Sequence, residues 1–73
     1  MNFFDLCTAI HQYIVKHFNH SNADMIKAYS VDNIEHMIRQ KKISNLEFFL
    51  TARKSLDALV LLDSLHFYSK MLP

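Results

Sequence analysis

The chain has 73 residues, 51% of them hydrophobic, a formal net charge of +1, no glycine, and one proline, the last residue. That composition excludes glycine-rich phosphate loops, tight two-residue hairpins and flexible linkers. The single cysteine excludes an internal disulfide framework, and the near-neutral charge gives little whole-molecule steering toward nucleic acid.

A chain of this length holds one domain, expected over residues 1–73 and all-helical. No basic leader precedes an apolar run, and no stretch reaches about 18 uncharged apolar residues. The reading is a soluble, cytoplasmic protein with no transmembrane segment. Without glycine, no position is expected to demand a positive φ.

Residues 2–19 form the first predicted helix. Asn2 and Asp5 have capping-box spacing, and Phe3, Leu6, Cys7, Ile10, Tyr13, Ile14 and Phe18 make one apolar stripe. Lys16 and His17 fall near the C-terminal end, where positive charge suits the helix dipole. The polar run Asn19-His20-Ser21-Asn22 then stops the helix.

Ser21 and Asp24 again have the spacing of a cap and its partner, followed by Met25, Ile26 and Tyr29. Ser30 is placed to cap a further helix from Val31, with Asp32 in its first turn and Ile34, Met37 and Ile38 on its face. Glu35 and Arg39 form an i,i+4 pair worth about 0.3 kcal/mol. The segment therefore reads as two short helices, or one kinked near Ser30; the alternative is one helix over residues 22–41. Lys41 and Lys42 close it.

Residues 44–72 read as one helix of about seven turns. Ser44 and Glu47 have capping-box spacing, and Ile43 and Phe48 are placed as a hydrophobic staple. Apolar residues recur in two stripes, and between Leu56 and Leu62 only Asp57 is polar. A helix on the outside of a globule needs one apolar face; this one must be covered from more than one direction. With six phenylalanines and three tyrosines in so short a chain, that excess points to a second subunit or a protein partner.

Residue types that carry chemistry are scattered. His17, His20 and Asp24 have spacings of three and four, but the polar run between them breaks the helix a shared metal would need. Cys7 and His11 are four apart, yet Cys7 lies within the apolar stripe with no orienting acid. Asp57 and Asp63 do not share a face. No Ser-His-Asp arrangement is supported by the spacing. No metal, cofactor or catalytic residue is therefore expected, and the chain is read as non-enzymatic.

The fold expected is a small antiparallel helical hairpin or three-helix bundle, with a long C-terminal helix as spine, that dimerises. The function expected is regulatory or adaptor binding to another protein, as a homo-oligomer. The residues expected to carry it are Arg39, Lys41, Lys42, Arg53 and Lys54 around the turn, with Leu59, Leu62 and Leu65 on the long helix. One alternative is a nucleic-acid-binding or nucleoid-associated modulator using the basic turn over residues 39–54. Direct DNA reading is disfavoured because the helix after that turn is long and apolar, not a polar-faced reader. Another is a structural subunit of a larger assembly.

Overall fold

A computed structural model describes residues 1–73, apart from the side chain of Asn19. The chain folds into five α-helices, four of them started by a side-chain cap. Helix α1, Phe3–Ile14, opens where Asn2 Oδ1 accepts the Asp5 amide at 2.8 Å. It continues as a π-helical turn, Val15–Asn19. Helix α2, Ala23–Ala28, is capped by Asn22, which accepts the Met25 amide at 3.1 Å. The cap thus falls one residue after Ser21, as asparagine serves that position at least as well as serine. Helix α3, Val31–Arg39, is capped by Ser30, whose hydroxyl accepts the Asn33 amide at 3.2 Å. Residues 22–41 therefore hold two helices, and Asn33 ties them by donating to the Lys27 carbonyl at 2.9 Å.

Helix α3 ends with Lys41 at φ 60°. The Lys42 amide donates back to the Met37 carbonyl at 2.8 Å, and the Lys41 amide to Ile38 at 3.1 Å. This is a Schellman closure, with lysine in the left-handed position that glycine usually fills. Lys54 adopts φ 52° at the end of the next helix. The expectation that no residue needs a positive φ is thus corrected at two lysines, each at a cost of roughly 1 kcal/mol.

The larger correction concerns residues 44–72. They form two helices, α4 (Ser44–Ala52) and α5 (Leu56–Met71). A helix over all these residues would be about 43 Å long, whereas the longest extent of the molecule is 34 Å. The break has local causes. Thr51 bonds back to the carbonyls of Glu47 at 2.9 Å and Phe48 at 3.2 Å, an interaction that bends helices. Lys54 leaves the helical region, and Ser55 starts α5 by accepting the Ala58 amide at 3.0 Å. Asp57 adds a negative charge to the first turn of α5, where the dipole favours it.

The Ser44–Glu47 capping box does not form. The Glu47 amide bonds to the Ile43 carbonyl at 2.9 Å, so Ile43 is the cap and Ser44 is already helical. The Glu47 carboxylate instead accepts from His66 Nε2 at 2.6 Å, joining α4 to α5. Phe48, placed for a staple with Ile43, is 64% exposed.

The fold is an all-α domain of five helices in which the C-terminal helix, α5, is the longest. Helix α1 packs against α3 and α5, α4 packs on α5, and α2 packs on the π-helical turn. Leu6, Ile10 and Ile14 of α1 meet Ile34 and Ile38 of α3, Leu46 and Leu50 of α4, and Leu65 of α5 in one fully buried cluster. Each such side chain contributes about 1.5–3 kcal/mol of burial free energy. Polar ties bring the helices together at the rim. His11 Nδ1 donates to the Tyr29 carbonyl at 2.6 Å, and Asn45 donates to the Tyr29 hydroxyl at 3.2 Å. The Tyr68 hydroxyl donates to the Met1 carbonyl at 2.9 Å. The radius of gyration is 11.2 Å, the value of about 11 Å that a packed chain of this length has.

Candidate protein-interaction surface

Helix α5 has two unlike faces. Successive helical residues turn by about 100°. Ala58, Leu61, Leu65 and Ser69 form the inner face and are buried. Leu56, Val60, Asp63, Phe67 and Met71 share an arc of about 80° on the opposite side, and all five are exposed. Leu56 is 80% exposed, Val60 59% and Phe67 58%. Leu59, at the edge of that face, is 43% exposed. A lone exposed leucine needs no explanation. A run of large apolar side chains along one helix face does, because such contiguous patches mark contact surfaces.

The basic residues take other places than the sequence suggests. Arg39 pairs with Glu35 at 3.0 Å, and its guanidinium lies over the Phe3 ring at 5.0 Å from the centroid. Lys41 Nζ donates to the Ser69 carbonyl and to the Leu72 carbonyl, the latter at 2.9 Å. It thereby caps the C-terminal end of α5, where the helix dipole favours a cation. Arg53 Nη2 donates to the His17 carbonyl at 2.8 Å and stacks over Phe18 at 5.0 Å, capping the end of the first helix in the same way. Lys42 and Lys54 are exposed.

The single basic surface expected over residues 39–54 assumes one continuous long helix. With that helix broken, Lys54 precedes the start of α5 while the Lys41 ammonium sits at its end, about 24 Å away along the axis. Of the three leucines, Leu65 is fully buried on the inner face, Leu62 is half-buried against the core, and Leu59 borders the exposed stripe.

One cleft of about 360 Å³ lies between α1 and the start of α5. It gathers Ser55, His17 and Asp57, together with Gln12, Tyr13 and Lys16, a grouping that sequence spacing hides because its members are up to about 45 residues apart. The three residue types of a hydrolytic triad are present, but its bonds are not. The Ser55 hydroxyl is engaged as the cap of α5. The His17 ring lies against the Tyr13 ring at 4.4 Å. Among the described residues, no hydrogen bond joins Ser55, His17 and Asp57 to one another.

Cys7 is buried, and desolvation pushes its thiol up to about 11, with the Glu35 carboxylate adding to the rise and Arg39 opposing it. The reactive thiolate is thus disfavoured at neutral pH. Among the described residues, no three His, Cys, Asp or Glu side chains are grouped to hold a metal ion, and no helix is long and apolar enough to cross a membrane. In comparisons with known proteins, no family model, no curated protein and no solved structure matches this chain.

Proposed function

We propose that this protein is a small non-enzymatic regulator or adaptor that acts by protein–protein binding as a homodimer, and that the outer face of α5 is a contact surface. The observation that carries this reading is the apolar stripe of Leu56, Val60, Phe67 and Met71, exposed on a helix whose opposite face is fully used by the core. Leaving that stripe in water forgoes burial worth about 25 cal/mol for each Å², and a helix laid across it would recover it. The engagement of Arg39, Lys41 and Arg53 in contacts within the chain favours this apolar surface over the basic turn as the main binding element. The non-enzymatic part of the reading rests on the capping role of Ser55 and the buried Cys7 thiol.

The test is retention of proteins from a native cell extract on immobilised wild type and on a Val60→Glu/Phe67→Glu variant, read by mass spectrometry. Both positions are exposed, so the variant keeps its helical circular-dichroism signal. The expected result is a partner that the wild type retains and the variant loses by more than tenfold. Equal retention by both would place the binding surface elsewhere.

A further inference from the structure

We propose that the occupant of the outer face of α5 is a second copy of this chain. It docks antiparallel, with Phe67 against the partner's Phe67 at a two-fold axis and Asp63 opposite the partner's Lys70. This rests on reading the outer face of α5 as a contact surface, and it names what covers the C-terminal part of that face and in which direction.

The first argument is spacing. Leu56, Val60, Asp63, Phe67 and Lys70 follow one another at intervals of four, three, four and three residues. This is the 3.5-residue average by which two helices keep a shared seam. All five side chains are exposed, so the seam is open to a partner.

The second argument is charge. Asp63 lies four residues before Phe67, about 6 Å along the axis, and Lys70 three residues after it, about 4.5 Å. They are opposite charges on nearly the same side of the helix, and among the described residues neither has an ion-pair partner. A two-fold axis beside Phe67 reverses the helix and brings Asp63 level with the partner's Lys70, twice over. Two other arrangements fail this test. A parallel pair sets Asp63 against the partner's Asp63 and Lys70 against the partner's Lys70. An antiparallel pair sharing all of α5 has its axis near Asp63 and faces the two aspartates across it. Like charges held opposite each other across a seam destabilise it, so the charges select one direction and one register.

In that register the paired segment of α5 runs over residues 62–71, about 15 Å of helix. Val60 falls opposite the partner's Pro73, just past the end of its α5. A contact of that length falls below the roughly 1,200 Å² of a standard stable interface, which makes the dimer a weak one.

Sedimentation equilibrium of the full chain from 5 to about 500 μM tests this. The expected result for the wild type is a mass rising from 8.6 kDa toward twice that value. Phe67→Glu should weaken the dimer more than about a hundredfold. Asp63→Lys alone and Lys70→Glu alone should each weaken it by about tenfold. The double variant, with the charges exchanged, should return to within about threefold of the wild type. All three positions are exposed, and unchanged helicity confirms that each variant is folded.

A dimer insensitive to Phe67→Glu would overturn the proposal by placing the contact on another face. Single swaps without effect, or a double variant that fails to recover, would overturn the antiparallel register. A wild type that stays at one chain mass throughout would overturn self-association. That last result leaves the contact-surface reading standing if Val60→Glu/Phe67→Glu still loses a protein retained from extract. If the variant loses nothing, both fail together.

Discussion

The inner and outer faces of α5 are made of similar residues and have opposite fates. Leu61 and Leu65 are buried, while Leu56 and Val60, each five residues before one of them, stand in water. The difference is not in the side chains. It arises because α1, α3 and α4 pack against α5 and bury only the face of Ala58, Leu61, Leu65 and Ser69. What the comparison teaches is that hydrophobicity specifies the need for cover, and the packing geometry decides which face receives it. Both ends of the helix hold this orientation. Ser55 caps the start, and Lys41, from a turn 28 residues earlier in sequence than Ser69, holds the final carbonyls.

The largest effect expected is the contrast between the two faces themselves. Leu65→Ala should cost about 2–5 kcal/mol in urea unfolding, a large share of what so small a domain has. Leu56→Ala should stay within about 0.5 kcal/mol. Similar costs at the two positions would erase the distinction between the faces.

The anchoring of the inner face by Lys41 is the next test. Lys41→Ala removes a charged donor from two carbonyls and should cost about 1–2 kcal/mol. A neutral outcome in the same unfolding experiment would mean that Lys41 does not fix the end of α5.

Cys7 sharpens the picture on the side of the core. Its folded thiol is raised, so the unfolded chain ionises first and releases its proton first. The stabilising contribution is complete below the ordinary thiol value of 9.0 and is lost as pH rises through about 11. Stability should therefore fall between pH 9 and pH 11 by on the order of 1 kcal/mol more in the wild type than in Cys7→Ala. The two proteins differ only at residue 7, so the difference between the two curves isolates the thiol. Parallel curves would count against burial of that group.

The smallest effect separates the two left-handed lysines. Lys54 has no side-chain hydrogen bond or ion pair among the described residues, unlike Lys41. Lys54→Gly should therefore relieve strain at little cost and raise stability by about 0.5–1 kcal/mol. A loss would show that the Lys54 side chain holds the α4–α5 turn.

Much of the fold can be read from local signals. The α1 stripe of Leu6, Cys7, Ile10, Tyr13 and Ile14 is buried as its spacing predicts. Asn2 and Ser30 cap the helices they precede, and Glu35 pairs with Arg39. Each of these relations spans three or four residues, so the chain itself brings the groups together. The break in residues 44–72 also left a local trace. Ser55 with Asp57 in the following turn is a helix start of the same kind as Ser30 with Asp32, set inside an apolar run that continued through it.

By itself, then, the sequence determined the all-α class, the first helix and the excess of apolar surface, because these depend on composition and on short-range geometry, and it left one helix or two open over residues 22–41. Only the tertiary structure decided between equivalent local choices. It gave Glu47 to His66 instead of Ser44, Lys41 to the end of α5, and Arg53 to the end of the first helix. It also decided which face of α5 stays open. A carboxylate or a cation satisfies several partners at similar free energy. The choice among them is made by helices that pack together from distant parts of the chain, and local spacing carries no record of that packing.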